Sequence, residues 1–165
     1  MKKLFEYNWQ VRKEWLEWCK TIPKEELFKK RTGGLGTIYR TLIHIIEVEG
    51  DWMKDIKGEE ITELNYNLFR TIDDLDRYSE DTIAKTAIVL SSYKYEMDNQ
   101  PIKCFNSDGS YSTFALGEIL RHVIAHEIHH MGQLSIWARE LGKTPVNANL
   151  VNRGLYNSQS EGSRS

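Results

Sequence analysis

The chain has 165 residues, a formal net charge of −2 and 40% hydrophobic residues, with five tryptophans. That is enough apolar content for one domain with a real core, and the near-neutral charge gives no electrostatic reason to expect nucleic-acid or membrane binding. The longest apolar runs, such as Ile43 to Ile46 with His44 inside, are far too short to span a bilayer, Met1-Lys2-Lys3 has no apolar stretch behind it to make a secretory signal, and Cys19 and Cys104 form no C-x-x-C pair, so a reduced cytoplasmic setting is expected.

The first helix is predicted from Lys2 to Lys20, where Leu4, Val11, Trp15 and Trp18 fall on a common side and Pro23 follows the end. Lys29-Lys30-Arg31-Thr32-Gly33-Gly34-Leu35-Gly36 is basic and glycine-rich. It lacks the Gly-Lys-Ser/Thr ending of a phosphate-binding loop and reads as a turn into a helix. The second helix is predicted from Thr37 to Ile56, with Ile38, Leu42, Ile45, Ile46 and Met53 as its apolar side. Its His44 shares a face with Thr37, Thr41, Glu47, Val48 and Asp51.

Lys57 to Asn67 is a polar linker. The third helix begins near Thr71, where Thr71-Ile72-Asp73-Asp74 has the pattern of an N-cap with an acidic residue three on, and it is predicted to continue to about Asp98. After Pro101, Ile102–Phe105 and Tyr111–Thr113 flank Asn106-Ser107-Asp108-Gly109, a small hairpin that must pack on the helices to be stable. Ser112 or Thr113 is expected to cap the fourth helix, which runs to Leu141 with Gly142 as its stop. Residues 1–150 read as one helical domain. Residues 151–165 read as a polar tail expected to be disordered, most clearly from Ser158 onward. Four long amphipathic segments must each bury one stripe, so the expected fold is all-α, a four-helix bundle with a small β-hairpin before its last helix.

Four of the five histidines fall in Arg121-His122-Val123-Ile124-Ala125-His126-Glu127-Ile128-His129-His130-Met131-Gly132-Gln133. A helix advances about 100° per residue, so His122, His126 and His130 form one stripe, continued by Gln133 and Trp137, while His129 lies about 60° off His126. Imidazoles one turn apart can bind one transition metal ion through ring nitrogens. A third ligand must come from elsewhere, and His44 is the only other histidine.

Three readings of this cluster compete. His126-Glu127-x-x-His130 matches the H-E-x-x-H pattern of zinc proteases, in which the glutamate is the general base, but nothing after His130 resembles their usual third ligand. Glu127 otherwise reads as a surface carboxylate paired with Arg121, Arg139 or a lysine. A metal-free histidine stripe is the second reading, though stacked imidazoles repel one another as they protonate. The third rests on Leu42-Ile43-His44-Ile45-Ile46-Glu47-Val48-Glu49-Gly50-Asp51-Trp52 and Leu120–Gln133, about eighty residues apart, with the hairpin before the last helix. In these features the chain resembles the DinB family of four-helix metal-binding proteins, the DinB/YfiT-like fold.

The resemblance implies one metal ion held by His44, His126 and His130. It places His122 along the pocket or behind a ligand, and it matches His129 as well. Where the family often has Arg-Gly-Gln, this chain has Met131-Gly132-Gln133. Three imidazoles with open coordination positions suit catalysis more than a closed structural site. Zinc is the favoured ion and nickel the second. The implied activity is metal-dependent thiol S-transfer from a low-molecular-weight thiol to a small electrophile, and the alternative is a non-enzymatic, stress-associated protein whose metal is structural. A fourth ligand such as Asp51 or Glu47 would favour that alternative. No catalytic side chain beyond the histidines is assigned, and a homodimer is expected because family bundles commonly pair.

Overall fold

Four long helices carry the computed structural model, which describes residues 1–106 and 108–156. They are α1 (Lys2–Cys19), α3 (Ile38–Lys57), α4 (Ile72–Ser92) and α5 (Leu116–Glu140); α2 (Lys24–Phe28) is a single extra turn, and β1 (Pro101–Phe105) and β2 (Tyr111–Ala115) form an antiparallel hairpin ahead of α5. α1 and α3 each pack on both α4 and α5, so the order around the bundle is α1, α4, α3, α5. The expected all-α bundle with its hairpin is therefore the observed fold. Among the described residues no helix is long and apolar enough to cross a membrane.

α3 buries the apolar side that its spacing predicts, whereas α1 leaves the expected Leu4 and Trp18 half-buried and turns Phe5 and Leu16 inward, and α4 buries Ser79, Thr82 and Thr86 beside Leu75 and Leu90. Phe5, Val11, Trp15 and Leu16 of α1 meet Ile38, Leu42, Ile45, Ile46 and Met53 of α3, Leu75 of α4, and Ile119, Leu120, Leu134 and Trp137 of α5 in the interior. Local chemistry sets the ends. The Thr37 hydroxyl accepts the Arg40 amide at 3.0 Å to start α3. Thr71 and Asp74 form a reciprocal capping box on α4, at 3.2 Å and 2.8 Å. Gly142, at φ +67°, closes α5. This left-handed conformation favours glycine and lets its amide and that of Lys143 reach the Arg139 and Ala138 carbonyls.

The structure departs from the sequence reading in four further places. Pro23 does more than end the first helix: it opens α2, whose Leu27 is buried and whose Phe28 ring lies 4.6 Å from that of Tyr39. Five residues are too few for an apolar period to show. The third helix ends at Ser92 instead of Asp98, because Tyr93 turns extended and a 3₁₀ turn at Tyr95–Met97 follows. That break lets the Tyr93 hydroxyl and Arg121 converge on the Asp98 carboxylate. Neither Ser112 nor Thr113 caps α5. β2 runs through Ala115 directly into the helix, and the Gln100 and Asp98 carbonyls accept the Leu116 and Gly117 amides, each at 2.9 Å.

The fourth departure is at the C-terminal end. Residues 151–156, read as part of the polar tail, lie against α1. Leu155 joins the core and Arg153 pairs with Glu14 at 2.7 Å, while just ahead of this segment the Tyr7 hydroxyl donates to the Ala148 carbonyl at 2.6 Å. The remainder of that tail, residues 157–165, lies outside the described residues.

Candidate metal centre

α3 and α5 are neighbours, and their facing sides bring three imidazoles together. His126 Nε2 lies 3.1 Å from His44 Nε2 and 3.1 Å from His130 Nε2. The three groups offer ligand atoms that all fall within 4.8 Å of one another. A tetrahedral ion with bonds of about 2.0–2.1 Å holds its ligand nitrogens roughly 3.3 Å apart, close to the observed spacing. Hydrogen bonding alone does not account for this geometry. His126 Nε2 carries either one proton or one lone pair, so it can donate to or accept from one of its two neighbours and not both. The group could hold a metal ion.

The electrostatics prepare neutral donors. Burial lowers the His44 pKa, with His130 and Arg40 adding to the effect. Burial, reinforced by the four other imidazole-bearing neighbours His130, His44, His122 and His129, pushes His126 down to about 3. His130 is also lowered by burial, against a hydrogen bond to Gln133 that raises it. Metal ligation needs the unprotonated ring nitrogen, and this environment disfavours the imidazolium.

The model of the DinB family matches residues 1–157. The chain belongs to the DinB family. It is 41% identical, over 155 residues, to YizA of Bacillus subtilis, described only as uncharacterized; the match covers 94% of this chain and 96% of YizA. Two solved structures share the fold. A DinB-like protein of Bacillus cereus superposes with a TM-score of 0.64 at 17% identity, covering 87% of this chain and 91% of that one. The DinB-like YjoA of Bacillus subtilis gives 0.58 at 18% identity, covering 89% and 96%.

Within this DinB chain the remaining histidines stand apart from the trio. His122 is exposed, its ring 5.6 Å from Trp52 and 5.9 Å from His126, and Trp52 packs edge-on to Phe114 at 5.9 Å. It lines one side of the centre. His129 is exposed and contacts Gln133, as its angular offset predicts. The two carboxylates considered as a fourth ligand are engaged elsewhere: Glu47 accepts the Tyr66 hydroxyl at 2.7 Å, and Asp51 holds Lys54 at 2.9 Å. Among the described residues no fourth His, Cys, Asp or Glu joins the cluster.

Glu127 is where the sequence reading is wrong. It is not a surface carboxylate, and none of Arg121, Arg139 or a lysine pairs with it. It is 2% exposed and accepts two hydrogen bonds from Arg12, Nε and Nη2 each at 2.7 Å. The same guanidinium binds the Glu49 carboxylate and reaches Ser79 Oγ at 3.3 Å, while Trp9 donates to Glu49 at 3.1 Å. All four long helices thus contribute to one buried ion cluster. Burial raises the Glu127 pKa and Arg12 opposes that rise. A carboxylate clamped by Arg12 is not the general base of a zinc protease, so the H-E-x-x-H match carries no such function. Sequence reasoning missed Arg12 and Glu49. The available signal was Asn8 and Arg12 one turn apart, set among Phe5, Val11 and Trp15 on a side that is otherwise apolar.

Proposed function

We propose that this DinB protein binds one divalent transition metal ion through His44, His126 and His130, and uses it as a thiol S-transferase acting on small electrophiles. The observation that carries the reading is the convergence of three Nε2 atoms, with no fourth protein ligand among the described residues. Such a set leaves coordination positions for small molecules. Zinc is the first choice of ion and nickel the second, since neutral imidazoles suit both. When bound, the metal would acidify a thiol in contact with it. The chain itself supplies the imidazoles that hold the ion and a wall of Trp52, Phe114 and His122 against which an electrophile would rest. A cytoplasmic setting, where low-molecular-weight thiols are abundant, and a homodimer complete the proposal.

The rival is a purely structural metal. The Arg12 cluster already ties all four helices together from within, so the bundle has a polar tie that does not depend on an ion, which favours a working centre. Mass spectrometry of protein purified without an affinity tag is expected to find about one metal per chain in the wild type and in His129→Ala, and none in His44→Ala. Metal-loaded protein is then mixed with a thiol and a chromogenic electrophile. Conjugation no faster than with metal-free protein, across several thiols, would leave the structural reading in place.

A further inference from the structure

We infer that Gln133 is the positioning residue of the centre: its side-chain amide, lodged under the glycine loop, fixes His130 in the tautomer that presents Nε2 to the metal and joins His129 to the same chain of hydrogen bonds. This rests on the proposed metal centre. Gln133 Oε1 lies 2.9 Å from His130 Nδ1. An amide oxygen only accepts, so Nδ1 carries the hydrogen, and a neutral imidazole then has its lone pair on Nε2. That nitrogen is the one facing His126. At the other end, Gln133 Nε2 lies 2.9 Å from His129 Nε2. An amide NH2 only donates, so His129 accepts there. Turning the amide over would set its NH2 against the Nδ1–H of His130, so amide orientation and tautomer lock each other.

Residues three and four apart are neighbours on a helix, which is why one glutamine reaches both His130 and His129. The loop before α3 encloses it. A Cβ built on Gly34 would meet Gln133 Oε1 at 2.5 Å and the Trp137 ring at 3.0 Å, and Gly34 has φ +51°. Trp137 Nε1 in turn donates to the Thr32 carbonyl at 3.2 Å, pinning the loop on α5. The glycine segment that superficially suggested a phosphate loop therefore has a different use: its bare backbone makes room for this amide. Groups that support a ligand histidine set its tautomer and orientation, and their loss weakens metal affinity by roughly 10–100-fold.

The test compares wild type, Gln133→Leu, Gln133→Glu and His44→Ala as full chains. Zn²⁺ affinity is measured by competition with a chromophoric chelator, and ligand geometry by the Co²⁺ absorption spectrum. Nitrogen NMR of the imidazoles reports the His130 tautomer in metal-free protein. Gln133→Leu is expected to lose roughly 10–100-fold in affinity, to alter the Co²⁺ spectrum and to mix the His130 tautomers, with unchanged unfolding of the metal-free form. Gln133→Glu keeps the acceptor and restores affinity to within a few-fold of wild type. Wild-type affinity and spectrum in Gln133→Leu, no rescue by Gln133→Glu, or an Nε2–H tautomer of His130 in metal-free wild type would each overturn the inference while leaving the metal centre standing. Wild type that binds no more metal than His44→Ala would remove the centre itself, and the inference with it.

Discussion

Arg12 is the residue on which the interior depends most. Its side chain is fully buried between two carboxylates and a serine. Taking such charges out of water is costly, and removing one partner strands the others. Arg12→Ala leaves Glu49 and Glu127 facing each other without a cation, and is predicted to lower stability by about 3–5 kcal/mol. A domain of this size has only about 5–15 kcal/mol in hand, so this one change decides whether it stays folded. Lys13 and Asp76 make a contact of similar length, 2.7 Å, but at the surface. Lys13→Ala is predicted to cost less than about 1 kcal/mol. Urea unfolding of the two variants side by side checks the contrast, and equal losses would contradict the burial reasoning.

Among the elements, α4 offers the clearest dissection. Thr71 caps it and Asp74 returns the favour. Thr71→Ala is predicted to cost about 1 kcal/mol. Asp74 is held down to about 2 by the Arg70 amide first, with the Thr71 hydroxyl and amide adding to it. The folded pKa lies below the unfolded one, so the contribution is complete above pH 4 and is lost as pH falls toward 2. Asp74→Asn should flatten thermal stability against pH in that window; an unchanged slope would assign the acid sensitivity to other groups. The same box was legible in the sequence because its residue types and spacing are specific. The long helices were legible because each repeats its apolar period over many turns. α2 is too short to repeat anything, and the end of α4 at Ser92 goes with Asp98 meeting Arg121, a contact 23 positions apart that no local pattern announces. The backbone cap on α5 is equally non-local, since Gln100 and Asp98 supply carbonyls, not side chains.

For the whole molecule, the legibility of the site follows the same division. The trio could be read because only one histidine, His44, lies outside the last helix, and the family resemblance picks His126 and His130 from the stripe that also holds His122. Arg12, Glu49 and Glu127 could not, because charged residues on a helix are usually solvated and only the packed bundle shows which are enclosed. Assembly beyond the single chain is predicted from α5, which leaves Ile128 and Ile136 44% and 59% exposed on either side of Gly132. Sedimentation is expected to show a dimer at micromolar concentration that Ile136→Glu dissociates, and a wild-type monomer would count against the homodimer.

α3 and α5 are joined twice, by histidines along one line and by Glu49 and Glu127 through Arg12 along another. His126 and Glu127 point about 100° apart on their helix, so α5 cannot roll about its axis toward either contact without losing the other. The rotational phase of the helix is therefore settled when the chain folds, before any ion arrives. Uptake of the proposed ion would then call for little ordering of the backbone, and the helix content of the protein should be the same with the ion as without it.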